Sequence, residues 1–193
     1  MRVVGVVTLL LVSACGGGTC PEPRYGGKAT DEAWRSLVDA EARATVDAAK
    51  APGFSVPMPD QAFPAASAPT FTWASTLVVR PETPGVHRYA AAPPPRSAWQ
   101  HLSDLVVPSA WAHLAPITGP VHLLRVAVPG RTCPVELVTT QTTWALAADE
   151  WKVLTDAKGK TFTLSAVSAY LEQNRVTEGP YRPASTLNFT VSP

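Results

Sequence analysis

The chain lacks a surplus of charge of either sign. Its 16 lysines and arginines stand against 15 aspartates and glutamates, a formal net charge of +1. Charged residues make up 16% of it, below the ~25% of ordinary soluble domains. No segment clusters Lys and Arg, so the footprint of a nucleic-acid binder is missing and no such partner is expected. Cysteine is scarce at three residues, and none falls in a Cys-x-x-Cys pair that would hold zinc. No apolar run approaches the ~20 residues of a membrane-spanning helix. There is no Gly-x-Ser-x-Gly nucleophile elbow, no glycine-rich phosphate loop and no internal repeat of solenoid or propeller length. Two things are plentiful. Hydrophobic residues are 46% of the 193, enough for one real core. Proline, at 20 residues, is about twice its average usage of ~5%, which favours loops and edge strands over long helices.

The first residues read as a leader. Arg2 supplies a positive start, Val3 to Val12 an apolar run, and Ser13-Ala14 the small residues that precede cleavage. Gly16-Gly17-Gly18 then ends the run abruptly. With Val12-Ser13-Ala14-Cys15 as a lipobox, residues 1–14 resemble a bacterial lipoprotein signal peptide. The resemblance implies cleavage before Cys15, a diacylglyceryl thioether on its sulfur and acylation of its new amino group. Several acyl chains on one residue suffice for stable anchoring. Gly16 after the lipidated cysteine, in place of Asp, implies the outer membrane by the sorting habit of enteric bacteria. Without Arg2 the mature chain has fifteen basic and fifteen acidic residues. With Cys15 lipidated, Cys20 and Cys133 remain. An even pair in an oxidising compartment reads as a disulfide, the alternative being two unpaired thiols on flexible segments.

Residues 15–29 read as a Gly- and Pro-rich lipidated tether. Residues 30–52 read as a helix running from about Asp31 to Lys50. Thr30 caps it, Asp31-Glu32 suit the dipole, and Trp34, Leu37, Val38, Ala42, Val46 and Ala49 fall at helical spacing. Glu41 and Thr45 intrude on the edge of that stripe, and Pro52-Gly53 stops it. From residue 53 the pattern becomes alternating. Phe71 and Trp73, Val121 to Val128, Val135 to Thr143, Phe162 to Ala166 and Leu187 to Val191 read as short strands, with Gly159 and Gly179-Pro180 as punctuation. The fold class is therefore mainly β, an antiparallel sandwich with an N-terminal helix.

Three stretches carry a resemblance to fibronectin type III or immunoglobulin-like domains. They are Pro69-Thr70-Phe71-Thr72-Trp73, Leu154 with Gly159-Lys160-Thr161-Phe162-Thr163-Leu164-Ser165-Ala166, and Ser185 with Phe189-Thr190-Val191. The resemblance covers roughly 68–193. It departs from the family at Phe162, which stands in place of a corner tyrosine, and at an insertion over 81–120. The tail from Thr118 is also similar to uncharacterised bacterial lipoproteins, which adds no function. Within the insertion, Pro93-Pro94-Pro95 is extended, and Ser97-Ala98-Trp99-Gln100 opens a short amphipathic helix ending at Pro108. The alternation also nominates a core: Phe71, Trp73, Leu124, Val126, Phe162, Leu164, Phe189 and Val191 should converge between two sheets.

Candidate chemistry is thin. His87, His101, His113 and His122 are the four histidines, and His101, His113 and His122 with Asp104 could assemble a metal site. None has the His-x-His or His-x-x-x-His spacing that points two imidazoles at one ion unaided. The plain alternative is separate polar or packed residues, and alternation puts His122 on the face of Leu124 and Val126. Ser97, His101 and Asp104 share a helix, but capping already accounts for Ser97. Trp144 and Trp151 flank a turn and form a possible ligand-binding pair for a glycan or partner protein, against the plain reading as hydrophobic plugs. The expectation is a non-catalytic binding or scaffolding module without a cofactor, anchored by lipid in the cell envelope. The alternative is a metal-dependent or carbohydrate-binding envelope protein using the insertion histidines or Trp144 and Trp151.

Overall fold

The computed structural model of the protein describes residues 20–78 and 115–192. Its elements run β1 (Arg24–Gly26), α1 (Asp31–Glu41), β2 (Thr45–Val46), β3 (Gly53–Val56), β4 (Gln61–Pro64), β5 (Thr70–Ala74) and β6 (Gly119–Ala127), then β7 (Val135–Thr139), β8 (Thr143–Ala145), α2 (Ala148–Asp156), β9 (Thr161–Glu172), β10 (Arg175–Arg182) and β11 (Leu187–Ser192). The fold is mainly β. Eight strands form one sheet, in the order β1-β7-β6-β9-β10-β2, with β11 also on β9 and β4 on β11. β3, β5 and β8 form a second, antiparallel sheet.

β9 organises the larger sheet. β6 pairs with most of its length, from Thr163 to Leu171. On its other side β11 takes the first half, Thr161 to Leu164, and β10 takes the second, Ser168 to Glu172. Residues at even positions from Phe162 to Ala166 enter a core cluster against the small sheet and α2, which includes all eight residues nominated from alternation. Phe189 sits at its centre, 5.3 Å from the rings of both Phe71 and Phe162. The odd positions Val167, Ala169 and Leu171 face the opposite way and join a second cluster with Ala33 and Leu37 of α1. The layers are thus α1, the large sheet, and the small sheet with α2.

Five expectations need correction. The helix ends at Glu41, not near Lys50. Thr45 and Val46 instead pair in parallel with Tyr181 and Arg182, so tertiary pairing of β-branched residues overrides a thin helical stripe. The sheet is mixed, not purely antiparallel: β1 on β7, β2 on β10 and β4 on β11 all run parallel. The tether does not extend to residue 29. From Cys20 onward the chain is built into the fold, with β1 on β7, Ala29 buried, and a Cys20–Cys133 disulfide at 5.4 Å between Cα atoms. Gly179-Pro180 lies inside β10 rather than ending a strand. The register of β10 shifts on either side of Glu178, and such irregularities are where a strand accepts proline. Gly179, at φ +88°, would bring a Cβ within 3.2 Å of the Ser168 carbonyl oxygen. The insertion also ends earlier than residue 120, since Gly119 and Pro120 already belong to β6.

The two ends of the molecule differ. At one, the β6–β7 connection carrying Cys133, the α2–β9 turn and the end of β11 come together; Gly159 N–H donates to the Val191 carbonyl. At the other, eight residues along β6 from Ala127 and roughly 26 Å away, Gly119 pairs with Leu171. There the chain emerging from the insertion is tied to the β9–β10 turn. Ile117 N–H donates to Asn174 Oδ1 at 2.8 Å and Asn174 N–H to the Ile117 carbonyl at 3.0 Å. These are called the disulfide end and the insertion end.

Phe162 is fully buried and stacked on Phe189. Phe162→Ala should cost about 3–5 kcal/mol, read as a lowered midpoint in chemical denaturation. The Cys20–Cys133 bridge closes a loop across 113 residues, a constraint of up to ~4.7 kcal/mol in the chain-entropy model. Cys133→Ser should therefore lower the melting temperature, and a reductant should bring the wild type down to the same value.

Candidate functional site

The insertion end is the place where polar groups gather beside a recess. The turn after β7 is held to the N-terminal segment, with Lys28 N–H donating to Thr140 Oγ1 at 3.1 Å and Thr140 N–H to the Gly26 carbonyl at 3.4 Å. Gly27, at φ +63°, allows the close approach; a Cβ there would lie 2.4 Å from Thr140 Oγ1. Gln173 N–H donates to Thr118 Oγ1. Lys28, Ile117, Thr118, Thr140 and Gln173 then line a groove of about 450 Å³. That volume falls in the range of small-molecule sites. One ammonium, two hydroxyls and one amide over an apolar floor suit a polar ligand or the side chain of a partner.

His122 lies beneath this end but does not open onto it. It is 1% exposed on β6, as the alternation with Leu124 and Val126 predicts. Its Nδ1 shares a 2.5 Å hydrogen bond with Ser168 Oγ, and its ring meets Trp73 edge-on at 5.7 Å. Burial pushes its pKa down to about 4. The imidazole is therefore neutral and packed. His87, His101, His113 and Asp104 lie outside the described residues, as does Cys15. Among the described residues no three His, Cys, Asp or Glu side chains converge as a metal set, and no helix is long and apolar enough to cross a membrane.

Trp144 and Trp151 are not a presented pair. Both belong to the core cluster, at 1% and 8% exposure. Trp144 Nε1 donates to Glu150 Oε2 at 3.2 Å and Trp151 Nε1 to the Ala65 carbonyl at 3.0 Å. With rings and donors spent inside the protein, neither offers a face to a sugar; packing explains both.

Sequence reasoning passed over two constellations. Glu150 ties α2 to three partners, accepting from Trp144 Nε1, the Ala147 backbone N–H and Arg24 Nη1. Its position third in the helix was the available signal, because an N3 glutamate reaches back to the cap. Arg125 bridges Glu41 of α1 and Glu136 of β7 on the outer face of the large sheet. Burial lowers its basicity, but the two carboxylates together outweigh that and raise its pKa. An arginine interrupting an apolar strand was the sequence sign of a paired charge.

A second groove, about 440 Å³, lies where the β10–β11 connection passes the edge of the small sheet, lined by Phe54, Leu164 and Pro183 to Asn188. It is more apolar and carries no cluster of reactive groups. Compared with known proteins, the chain matches no family model, no curated protein and no solved structure.

The buried imidazole makes a pH prediction. Its folded pKa of about 4 lies below the ordinary 6.5, so the unfolded chain binds the extra proton between those values. The neutral form stabilises the fold fully above pH ~6.5, and that contribution is lost as pH falls through about 4. His122→Gln, which keeps an amide for Ser168, should flatten the stability profile in that window. The difference is about 3 kcal/mol across it at ~1.4 kcal/mol per pH unit, measured by denaturation at a series of pH values.

Proposed function

We propose that this chain is a lipid-anchored cell-envelope protein, a non-catalytic binding or scaffolding module on an immunoglobulin/fibronectin type III-like sandwich. The plan of the strands supports the fold reading. In such sandwiches A, B and E share one sheet, and C, F and G the other, with C′ beside C where present. Taking β3, β5 and β8 as A, B and E, β6 and β7 as C and C′, and β9 and β11 as F and G reproduces that division in unbroken chain order. On this plan the insertion is the B–C connection and β10 an elaboration of F–G. The chain departs from the plan in showing no D strand among the described residues, in bridging E to F with α2, and in carrying Phe162 for the corner tyrosine.

The observation that carries the binding reading is the meeting of the B–C and F–G connections at the insertion end, beside the Lys28–Thr140–Gln173 groove. Variable-type domains place their binding loops at the corresponding end. The lipobox Val12-Ser13-Ala14-Cys15 carries the location, and a bridged Cys20–Cys133 pair suits an oxidising compartment outside the cytoplasm. The lipid anchor's partner is the membrane, and the insertion end is left for an envelope protein or glycan.

Mass spectrometry of the mature N-terminus tests the anchor. The wild type should begin at an acylated Cys15, and Cys15→Ser should keep its leader and carry no lipid. An unmodified Cys15 in the wild type sinks the reading. The purified chain should also melt at the same temperature with and without added zinc. Stoichiometric zinc with a raised melting temperature would instead point to His101 and His113, since His122 is buried and bonded to Ser168.

A further inference from the structure

The anchor and the disulfide together fix which end of the molecule can meet the bilayer. Four residues lie between Cys15 and Cys20, so five Cα–Cα steps span at most about 18 Å when fully extended. Cys20 is bonded to Cys133 in the β6–β7 connection, so the leash is attached at the disulfide end. β9 alone, with twelve residues, is roughly 40 Å long. The insertion end lies roughly 26 Å beyond the disulfide end along β6, farther than the leash reaches, so the leash keeps the disulfide end nearer the headgroups.

The chemistry of that end agrees. Lys158 and Lys160 in the α2–β9 turn and Arg131 in the β6–β7 connection are all exposed. The described residues provide none of them with a side-chain hydrogen bond or ion pair, whereas Lys152 nearby is held by Asp156 at 2.8 Å. Two carboxylates, Glu22 and Asp149, lie on the flank in a recess that Arg24 and Arg131 also line. The tip itself, Ala157 to Lys160, carries only positive charge. Exposed cations within a Debye length of an anionic surface are drawn to it.

We infer that the disulfide end is a membrane-contact surface, with Lys158, Lys160 and Arg131 against anionic lipid headgroups and the insertion end directed away from the bilayer. This orientation rests on lipidation of Cys15. It gives the proposed binding end its setting: the groove at Lys28 and Thr140 opens toward whatever lies beyond the membrane surface, not toward lipid.

The test uses the lipidated full chain, isotope-labelled, in vesicles of phosphatidylcholine and phosphatidylglycerol doped with a headgroup spin label. Amide signals of Arg131, Lys158 and Lys160 should be lost to paramagnetic broadening, while those of Gln173, Asn174 and Thr140 survive. Substituting Arg131→Glu, Lys158→Glu and Lys160→Glu together should abolish that selectivity without releasing the protein from vesicles. The melting temperature of the triple variant should stay at the wild-type value, since these side chains hold nothing in the fold. Broadening centred on Gln173 and Asn174, or spread evenly over the chain, overturns the orientation while leaving the anchor intact. Identical patterns in the wild type and the triple variant overturn the role of the cations. A chain that carries no acyl group and does not float with vesicles overturns the anchor and the orientation together.

Discussion

The burial of β9 on both faces is the constraint on which the rest of the structure depends. A strand covered on one side needs alternation only, but from Ala166 to Leu171 every residue is buried. Each face then needs its own partner. The sandwich core covers one, and α1, brought round by the N-terminal segment, covers the other. Removing either layer would leave a run of Val, Ala and Leu, or of Phe and Tyr, in water. Burying apolar area is worth about 25 cal/mol per Å², so the strand acts as the common wall of two small cores. Its length also obliges the sheet to change neighbours halfway, from β11 to β10, and the bulged β10 with its Gly179-Pro180 step turns at that change.

The polar residues follow from the same wall. Arg125 sits on the outer face of β6 where α1 ends and the sheet becomes exposed, and two carboxylates hold it there. His122 sits on the inner face where the small sheet ends, so its ring is filled in by Trp73 and Ser168 rather than by aliphatic side chains. Neither needs a catalytic explanation. Each marks a boundary of a hydrophobic layer, where a side chain with a polar atom and a broad apolar body fits better than leucine.

Much of the sandwich core was legible in the sequence because period-two alternation places side chains without knowledge of partners. Phe71, Trp73, Phe162 and Phe189 needed only that rule. The second core was hidden by the same rule: Val167-Ser168-Ala169-Tyr170-Leu171 does not alternate, and only its continuous apolar character pointed to burial on both sides. α1 was visible from its cap and acidic first turn, but its end was not. Spacing alone carried the helix on through Ala42, Val46 and Ala49, and nothing local announced that Thr45-Val46 would add to β10 from far along the chain. The parallel pairings of β1, β2 and β4 are equally illegible, since short strands with long separations leave no local trace. Trp144 and Trp151, joined by a turn, allowed both a ligand-binding pair and hydrophobic plugs; whether an indole faces in or out depends on Glu150 and Ala65, which the spacing of the pair does not contain.

The disulfide has a topological side. Cys20 and Cys133 enclose β1, α1, β2 to β6 and the whole of the insertion within one covalent ring. A single peptide-bond cut anywhere inside that ring opens the loop without dividing the molecule, because both pieces stay joined through sulfur. β5 and β6, on the two sides of the insertion, are moreover held in different sheets by their own neighbours. A chain cut there stays a single particle for as long as the Cys20–Cys133 bridge is oxidised.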